Sequence, residues 1–439
     1  MKVLISLLFL LKLVIIGSRK LLGIINLFRH GARTPLTIDS NGYDLLNLKW
    51  NQESGDLTNV GIRQLYLSGT RIRDIYIKEN KLFSEDFKKE EFMMMSTDVN
   101  RTILSAYSQL QGIFPGNNNS RIEINESRSI VNLPQIVPVQ VMAYPSIIFQ
   151  IDDKNVCKGF NDEFFADNDN KELFKIETII KINHYVDLFE KTIFPKLESK
   201  LRLSKSDLKE RNNDNPRFIY HISDALVCAL REKIDISFLG LSPANITFFL
   251  DYKDFFLLYG KRTDNVLKIM VIPFFDKIIE LTEGFLSNTN NLKYVGYSYH
   301  DKNLVTLFRV LKMMLNNLED VVIPFASELI IEVFDDGLMN FVYNNRPWFE
   351  ITIQDFKLKR NNFLMSTTEF NNFCGFSNRD DKNDYSNEPK IIVILIITNV
   401  FLFSILIILF KKKMRNNTND VDSQLKEMML VDKKLNYKV

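Results

Sequence analysis

The chain has 439 residues, 46% of them hydrophobic, with 56 Lys and Arg against 54 Asp and Glu, a formal net charge of +2. That length supports one large domain or two smaller ones. The near-balance of charge supplies no global field for nucleic acid or an acidic polymer, so no nucleic-acid partner is expected.

From the N-terminus, Met1, Lys2 and an apolar run from Val3 to Ile16, then Gly17 and Ser18, have the form of a secretory signal peptide over residues 1–17. Lys12 interrupts the run and makes it a poor membrane span; an uncleaved anchor is the alternative. Leu21 to Phe28 is a continuous hydrophobic segment, which predicts a strand buried on both faces. It stops at Arg29, His30, Gly31, Ala32, Arg33, Thr34 and Pro35, placing these at a strand's carboxyl end, where open α/β sheets bind ligands. Two guanidiniums offer forked donors to a dianionic oxyanion. Gly31 permits close backbone approach, and the imidazole between the arginines is a nucleophile able to attack phosphorus.

Past Thr58, an available N-cap, Val60, Leu65, Ile72 and Ile75 recur at helical spacing. Phe92 to Met95 is a second short apolar run, followed by Ser96, Thr97 and Asp98, any of which can cap a helix reaching about Leu110. Arg101 falls in the first turn of that helix, where backbone N–H groups and the dipole also favour an anion. Residues 117–250 change character, with Asn- and Lys-rich loops between amphipathic segments. One segment, Leu173 to Phe189, carries Leu173, Ile176, Ile180 and Leu188 as a stripe. This predicts a mostly helical cap inserted into an α/β core formed by residues 18–116 and 251–378. His184 and His221 lie in it as ordinary structural or surface histidines.

Leu292 to Tyr299 predicts an aromatic-rich strand ending in His300 and Asp301, after which Leu304, Leu307, Phe308 and Leu311 recur at helical spacing. The strand, charged turn, helix order repeats that at Arg29, so both turns can meet at one sheet edge. Ser327 to Phe334 and Met339 to Tyr343, joined by Asp335, Asp336 and Gly337, predict a hairpin. Residues 351–378 close the body and 379–390 form a polar linker. Ile391 to Phe410 is free of charge for twenty residues, long enough to cross a bilayer. Lys411, Lys412, Lys413 and Arg415 follow it, which puts the tail 411–439 on the cytosolic side and the body in a lumenal or extracellular space.

In that oxidising space Cys157, Cys228 and Cys374 allow one disulfide and one leftover thiol, with the pairing open from sequence. Asn118, Asn125 and Asn245 begin sequons and are expected to be glycosylated. There is no HxH, HExxH or carboxylate cluster at ligand spacing, and the arginines around His30 repel a cation, so neither metal nor cofactor is expected.

RHGARTP resembles the signature of the histidine acid phosphatases, a branch of the phosphoglycerate-mutase-like superfamily. LTNVGIRQ at Leu57, STDVNRT at Ser96 and HDKNL at His300 are similar to that family's further motifs. Met95 stands where the family carries an additional arginine. The resemblance implies a three-layer αβα sandwich with a mainly parallel central sheet, and a membrane-anchored acid phosphatase that hydrolyses phosphate monoesters. In that scheme Arg29, Arg33 and Arg101, with His300 as a further donor, clamp the phosphoryl group. His30 attacks to give a phosphohistidine, and Asp301 is general acid and then base. The resemblance favours a Cys157–Cys374 disulfide with Cys228 free. The competing expectation is a catalytically weak ectodomain that binds phosphorylated ligands or a partner protein. Substrate identity, oligomeric state and the membrane concerned, lysosome-like vacuole or cell surface, are not legible.

Overall fold

Leu21–Arg29 forms strand β1 and is buried at every position from Gly23 onward, as its unbroken apolar run predicts. The computed structural model describes residues 19–115, 135–142, 159, 176–259, 264–289, 291–316, 318–319 and 321–375. The expected signal peptide, the sequons at Asn118 and Asn125, Cys157, the linker, the membrane span and the tail lie outside these residues.

Thr58 caps helix α1 (Asn59–Ile72) by accepting from the Gly61 amide, and the helix runs on through wider turns over Arg73–Glu79. Strand β2 (Phe92–Ser96) leads into α2 (Asn100–Ile113). The three expected caps of α2 are corrected by the structure: Val99 occupies the cap position and offers no side-chain bond. The Ser96 hydroxyl donates to the Thr97 carbonyl, Thr97 is committed to Thr102 and His300, and Asp98 is exposed.

Strands β3 (Val139–Val141), β4 (Tyr294–Tyr299), β5 (Glu328–Phe334), β6 (Leu338–Tyr343) and β7 (Arg346–Thr352) complete a seven-stranded sheet of order β3-β2-β4-β1-β5-β6-β7. The sheet is mixed rather than mainly parallel. β3, β2, β4 and β1 run parallel, whereas β5, β6 and β7 are antiparallel neighbours of β1 and one another. Connections account for most of this: the parallel neighbours are joined by long crossovers, and tight turns make β6 antiparallel to both β5 and β7. Gly337 at φ +80° turns β5 into β6; Asn344 and Asn345, at φ +46° and +63°, turn β6 into β7.

Helices cover both faces. On one face Leu65 of α1 and Ala106 and Leu110 of α2 pack with Ile24, Phe28, Met94 and Tyr294 of the sheet. The helices cross almost backbone to backbone, because a Cβ on Gly69 would lie 2.0 Å from the Gln109 carbonyl oxygen. Gly69→Ala should therefore force α1 and α2 apart and cost about 1–3 kcal/mol, read as a lower thermal midpoint. An unchanged midpoint would show that the crossing can relax freely. On the other face α8 (Asp264–Ser287) sets Phe274 against Tyr297 and Tyr299, with α9 (Asp301–Leu315) beside it.

The cap comprises α3 (Ile176–Leu188), α4 (Phe194–Leu197), α5 (Lys205–Asn213), α6 (Asn215–Arg231) and α7 (Pro243–Tyr259). Its core of Phe189, Phe218, Phe249 and Tyr252 is continuous with Leu46, Trp50 and Ala32, so the cap is seated on the loop that carries the first motif. Burial of each such aromatic contributes on the order of 1.5–3 kcal/mol. The expected stripe on α3 is corrected: Ile180 is 62% exposed and Leu188 37%, while Tyr185 and Phe189 take the inward face. Residues 117–250 also supply β3 to the sheet, and α7 spans position 250 without a break. Asn245 sits in the first turn of α7, exchanging hydrogen bonds with Ser242.

Candidate active site

The carboxyl ends of β1 and β4 lie side by side, with the His30 amide donating to the Tyr299 carbonyl at 2.9 Å. Because β5 runs antiparallel to β1, its beginning meets the same edge. There the Arg29 amide donates to Ser327, and the Ala326 amide, in a left-handed residue at φ +59°, donates to His30. Gly31 matters for a helix: a Cβ there would lie 2.4 Å from the Gly61 carbonyl oxygen, so α1 rests directly on the motif loop. The His30 and His300 rings stand edge to face with centroids 5.7 Å apart. Five of the six residues expected at the site, His30, Arg33, Arg101, His300 and Asp301, line one cavity of about 270 Å³, with Thr97, Tyr220 and Lys302 among its other walls. The sixth, Arg29, pairs with Asp301.

His30 is 2% exposed, and its Nδ1 lies 2.9 Å from the Gly31 carbonyl oxygen. A carbonyl only accepts, so the proton sits on Nδ1 and Nε2 keeps its lone pair. Burial, then the charges of Arg29 and Arg33, hold this imidazole well below its ordinary pKa, leaving it neutral. His300 has the opposite tautomer. Arg101 Nη2 faces its Nδ1 at 3.4 Å and can only donate, so Nε2–H donates to Thr97 Oγ1 at 3.0 Å. Burial and the Arg101 charge push its pKa down to about 3. Both ring nitrogens of His300 are thus engaged within the protein, and service as a donor to phosphate requires a proton gained at Nδ1 when an anion arrives.

Each arginine of the motif is clamped by a carboxylate. Arg29 Nη2 donates to Asp301 Oδ2 at 2.7 Å and Nη1 to the Ile323 carbonyl at 2.6 Å. Arg33 donates both Nη atoms to Asp224, at 2.9 and 3.0 Å. Burial opposes the Arg33 charge, but Asp224 outweighs it and raises its pKa. Arg101 has no such partner among the described residues, and burial with the nearby Arg33 charge pushes it down to about 10. The Nε–H groups of Arg29, Arg33 and Arg101 are all buried without a hydrogen-bond partner among the described residues. Three unsatisfied cationic donors suit an oxyanion. Burial alone would raise the Asp301 carboxyl, yet Arg29 outweighs it and holds the group well below the usual carboxylate range.

Sequence reasoning missed Asp224 and Lys253. Asp224, on α6, is 1% exposed, and Lys253, on α7, is 3% exposed with Nζ 2.9 Å from Asp224 Oδ1. The local text gives little signal: ISDALVC carries a lone acid in an apolar stretch, and LDYKDFF sets Lys253 between Asp251 and Asp254. Phe325 was noticed only as part of a family-like segment; its ring lies 4.3 Å from Arg29, 5.6 Å from Arg33 and 5.5 Å from Lys253, a cation–π surface at the back of the site. His184 and His221 do not line the cavity. Cys228 is a free buried thiol and Cys374 is disulfide-bonded, while its expected partner Cys157 is outside the described residues. Among the described residues no cluster of His, Cys, Asp and Glu is placed to hold a metal ion.

Residues 20–354 match the sequence model of the Histidine phosphatase superfamily (branch 2). Human prostatic acid phosphatase is 40% identical over 89 residues, 20% of this chain and 22% of that protein. Human lysosomal acid phosphatase is 32% identical over 111 residues, 25% of each chain. The chain thus spans a fifth to a quarter of the length of these curated relatives. Among solved structures, the Hafnia alvei phytase in complex with myo-inositol hexakis sulphate superposes with a TM-score of 0.55 at 11% identity, covering 79% of this chain and 98% of that one, a likeness of fold.

Proposed function

The chain belongs to the histidine phosphatase superfamily (branch 2), and on that premise we propose that its body is an acid phosphatase, hydrolysing phosphate monoesters through a phosphohistidine on His30. The observation that carries this reading is the neutral His30 ring, its Nε2 lone pair free, beside three arginines with unsatisfied buried donors. In the first step Nε2 forms a bond to phosphorus as the ester oxygen leaves, and Asp301 donates a proton to that oxygen. In the second, the Asp301 carboxylate takes a proton from water, whose oxygen displaces His30 and releases inorganic phosphate. Arg29, Arg33 and Arg101 neutralise the phosphoryl oxygens throughout, and His300 joins them after taking a second proton, from solvent, at Nδ1.

Asp301 is held ionised in the free site, so its catalytic proton arrives with the substrate. A monoester in its singly ionised form brings that proton; binding of the phosphoryl group offsets the Arg29 charge and lets the carboxyl accept it. The sign follows: kcat/KM is full below the ester's second ionisation, about pH 6, and falls as pH rises through it. Hydrolysis of an alkyl phosphate, whose alkoxide needs the proton, by the full chain from pH 4 to 8 tests this. A profile flat to pH 8 would contradict the proton source, and phosphate binding without turnover would favour the ligand-binding ectodomain. In the same reading the body lies in a lumenal or extracellular space, held by a span at 391–410, which suits the basic residues following it.

A further inference from the structure

Asp224 is the most heavily engaged carboxylate around the site. Its Oδ2 accepts from Arg33 Nη1 at 2.9 Å and from the Leu36 amide at 3.2 Å, and its Oδ1 accepts from Arg33 Nη2 at 3.0 Å and Lys253 Nζ at 2.9 Å. An arginine paired alone with a buried carboxylate is a neutral unit and attracts a phosphate weakly. Arg29 with Asp301 and Arg33 with Asp224 cancel in this way, and both imidazoles are neutral. Arg101 and Lys253 then leave two positive charges among the buried groups to attract the phosphoryl group, with the half-buried Asp254 beside them in the field of Lys253 and Arg29. Lys302 adds a charge at the half-buried rim, where water screens it.

From this we infer that Lys253 is a positioning residue of the phosphate site: by sharing the Asp224 carboxylate it leaves Arg33 oriented yet cationic toward a bound phosphoryl group. The inference rests on the phosphatase reading above. It gives the cap a part in affinity, since Asp224 and Lys253 come from α6 and α7 while Arg33 comes from the motif loop. Lys253 Nζ also lies 5.5 Å from the Phe325 ring that Arg29 and Arg33 face at 4.3 and 5.6 Å, so its charge sits directly behind the phosphate clamp. Lys253 does not touch the reacting atoms, and its charge acts alike on ground and transition states, so its loss should appear in binding more than in turnover.

The test is competition by inorganic phosphate against p-nitrophenyl phosphate hydrolysis in full-length wild type, Lys253→Gln and Lys253→Arg. Gln keeps a donor for Asp224 and deletes the charge. Its phosphate inhibition constant and KM should rise on the order of tenfold, with kcat within about threefold, while Arg restores wild-type inhibition. Should the Gln variant fail to fold, as judged by its thermal midpoint, Lys253→Met replaces it with a side chain of similar length. An unchanged inhibition constant in a folded charge-deleting variant, or loss of kcat alone, overturns the inference. A wild-type chain that neither turns over nor binds phosphate overturns the phosphatase reading instead.

Discussion

His30→Ala should reduce turnover of any phosphate monoester by on the order of 10⁴-fold or more while inorganic phosphate still binds. The three buried arginine donors do not depend on the His30 imidazole: Arg29 is held by Asp301 and the Ile323 carbonyl, Arg33 by Asp224, and Arg101 meets His300 instead. What the variant loses is the lone pair that the Gly31 carbonyl directs to Nε2. Steady-state kinetics with phosphate as competitor separates the two properties. Residual turnover within tenfold of wild type would mean that water, or another group, attacks phosphorus directly.

Asp301→Ala should discriminate between leaving groups. Alkyl phosphates, whose alkoxide needs a proton, should lose on the order of 10²–10⁴-fold in kcat. p-Nitrophenyl phosphate should lose far less, because its phenolate leaves unaided. The same substitution removes the carboxylate that neutralises Arg29, 2.7 Å away. Phosphate should therefore bind more tightly to the variant even as turnover falls, an opposition of signs that simple misfolding cannot produce. Equal losses on both substrates would remove Asp301 from proton transfer.

The parts of the site legible in the sequence are those carried by contiguous text. Arg29, His30 and Arg33 sit in one loop at the end of an unbroken apolar strand, and His300 and Asp301 at the end of another. A strand's carboxyl end is where a sheet presents its loops, so both could be placed before their convergence was known. Arg101 was marked by the resemblance of STDVNRT to a family motif, with a helix start as its setting, although the capping residue was not foreseen. A cap depends on which acceptor is spare, and Thr97 had been recruited by His300, 203 positions away. Asp224 and Lys253 were hidden for the same reason, since nothing local marks a carboxylate that will meet an arginine 191 positions earlier. The antiparallel half of the sheet was only half seen. The turn at Gly337 was read, whereas the Asn344–Asn345 turn, with its two left-handed residues, was passed over and β7 with it.

The central claim is that His30 becomes covalently phosphorylated, and trapping that species tests it most directly. Full-length protein mixed with ³²P-labelled monoester and quenched in alkali within the first turnover should carry label that acid removes and alkali does not, on the peptide containing His30. Label that survives acid, lies on another residue, or never forms while substrate is being hydrolysed would contradict the account.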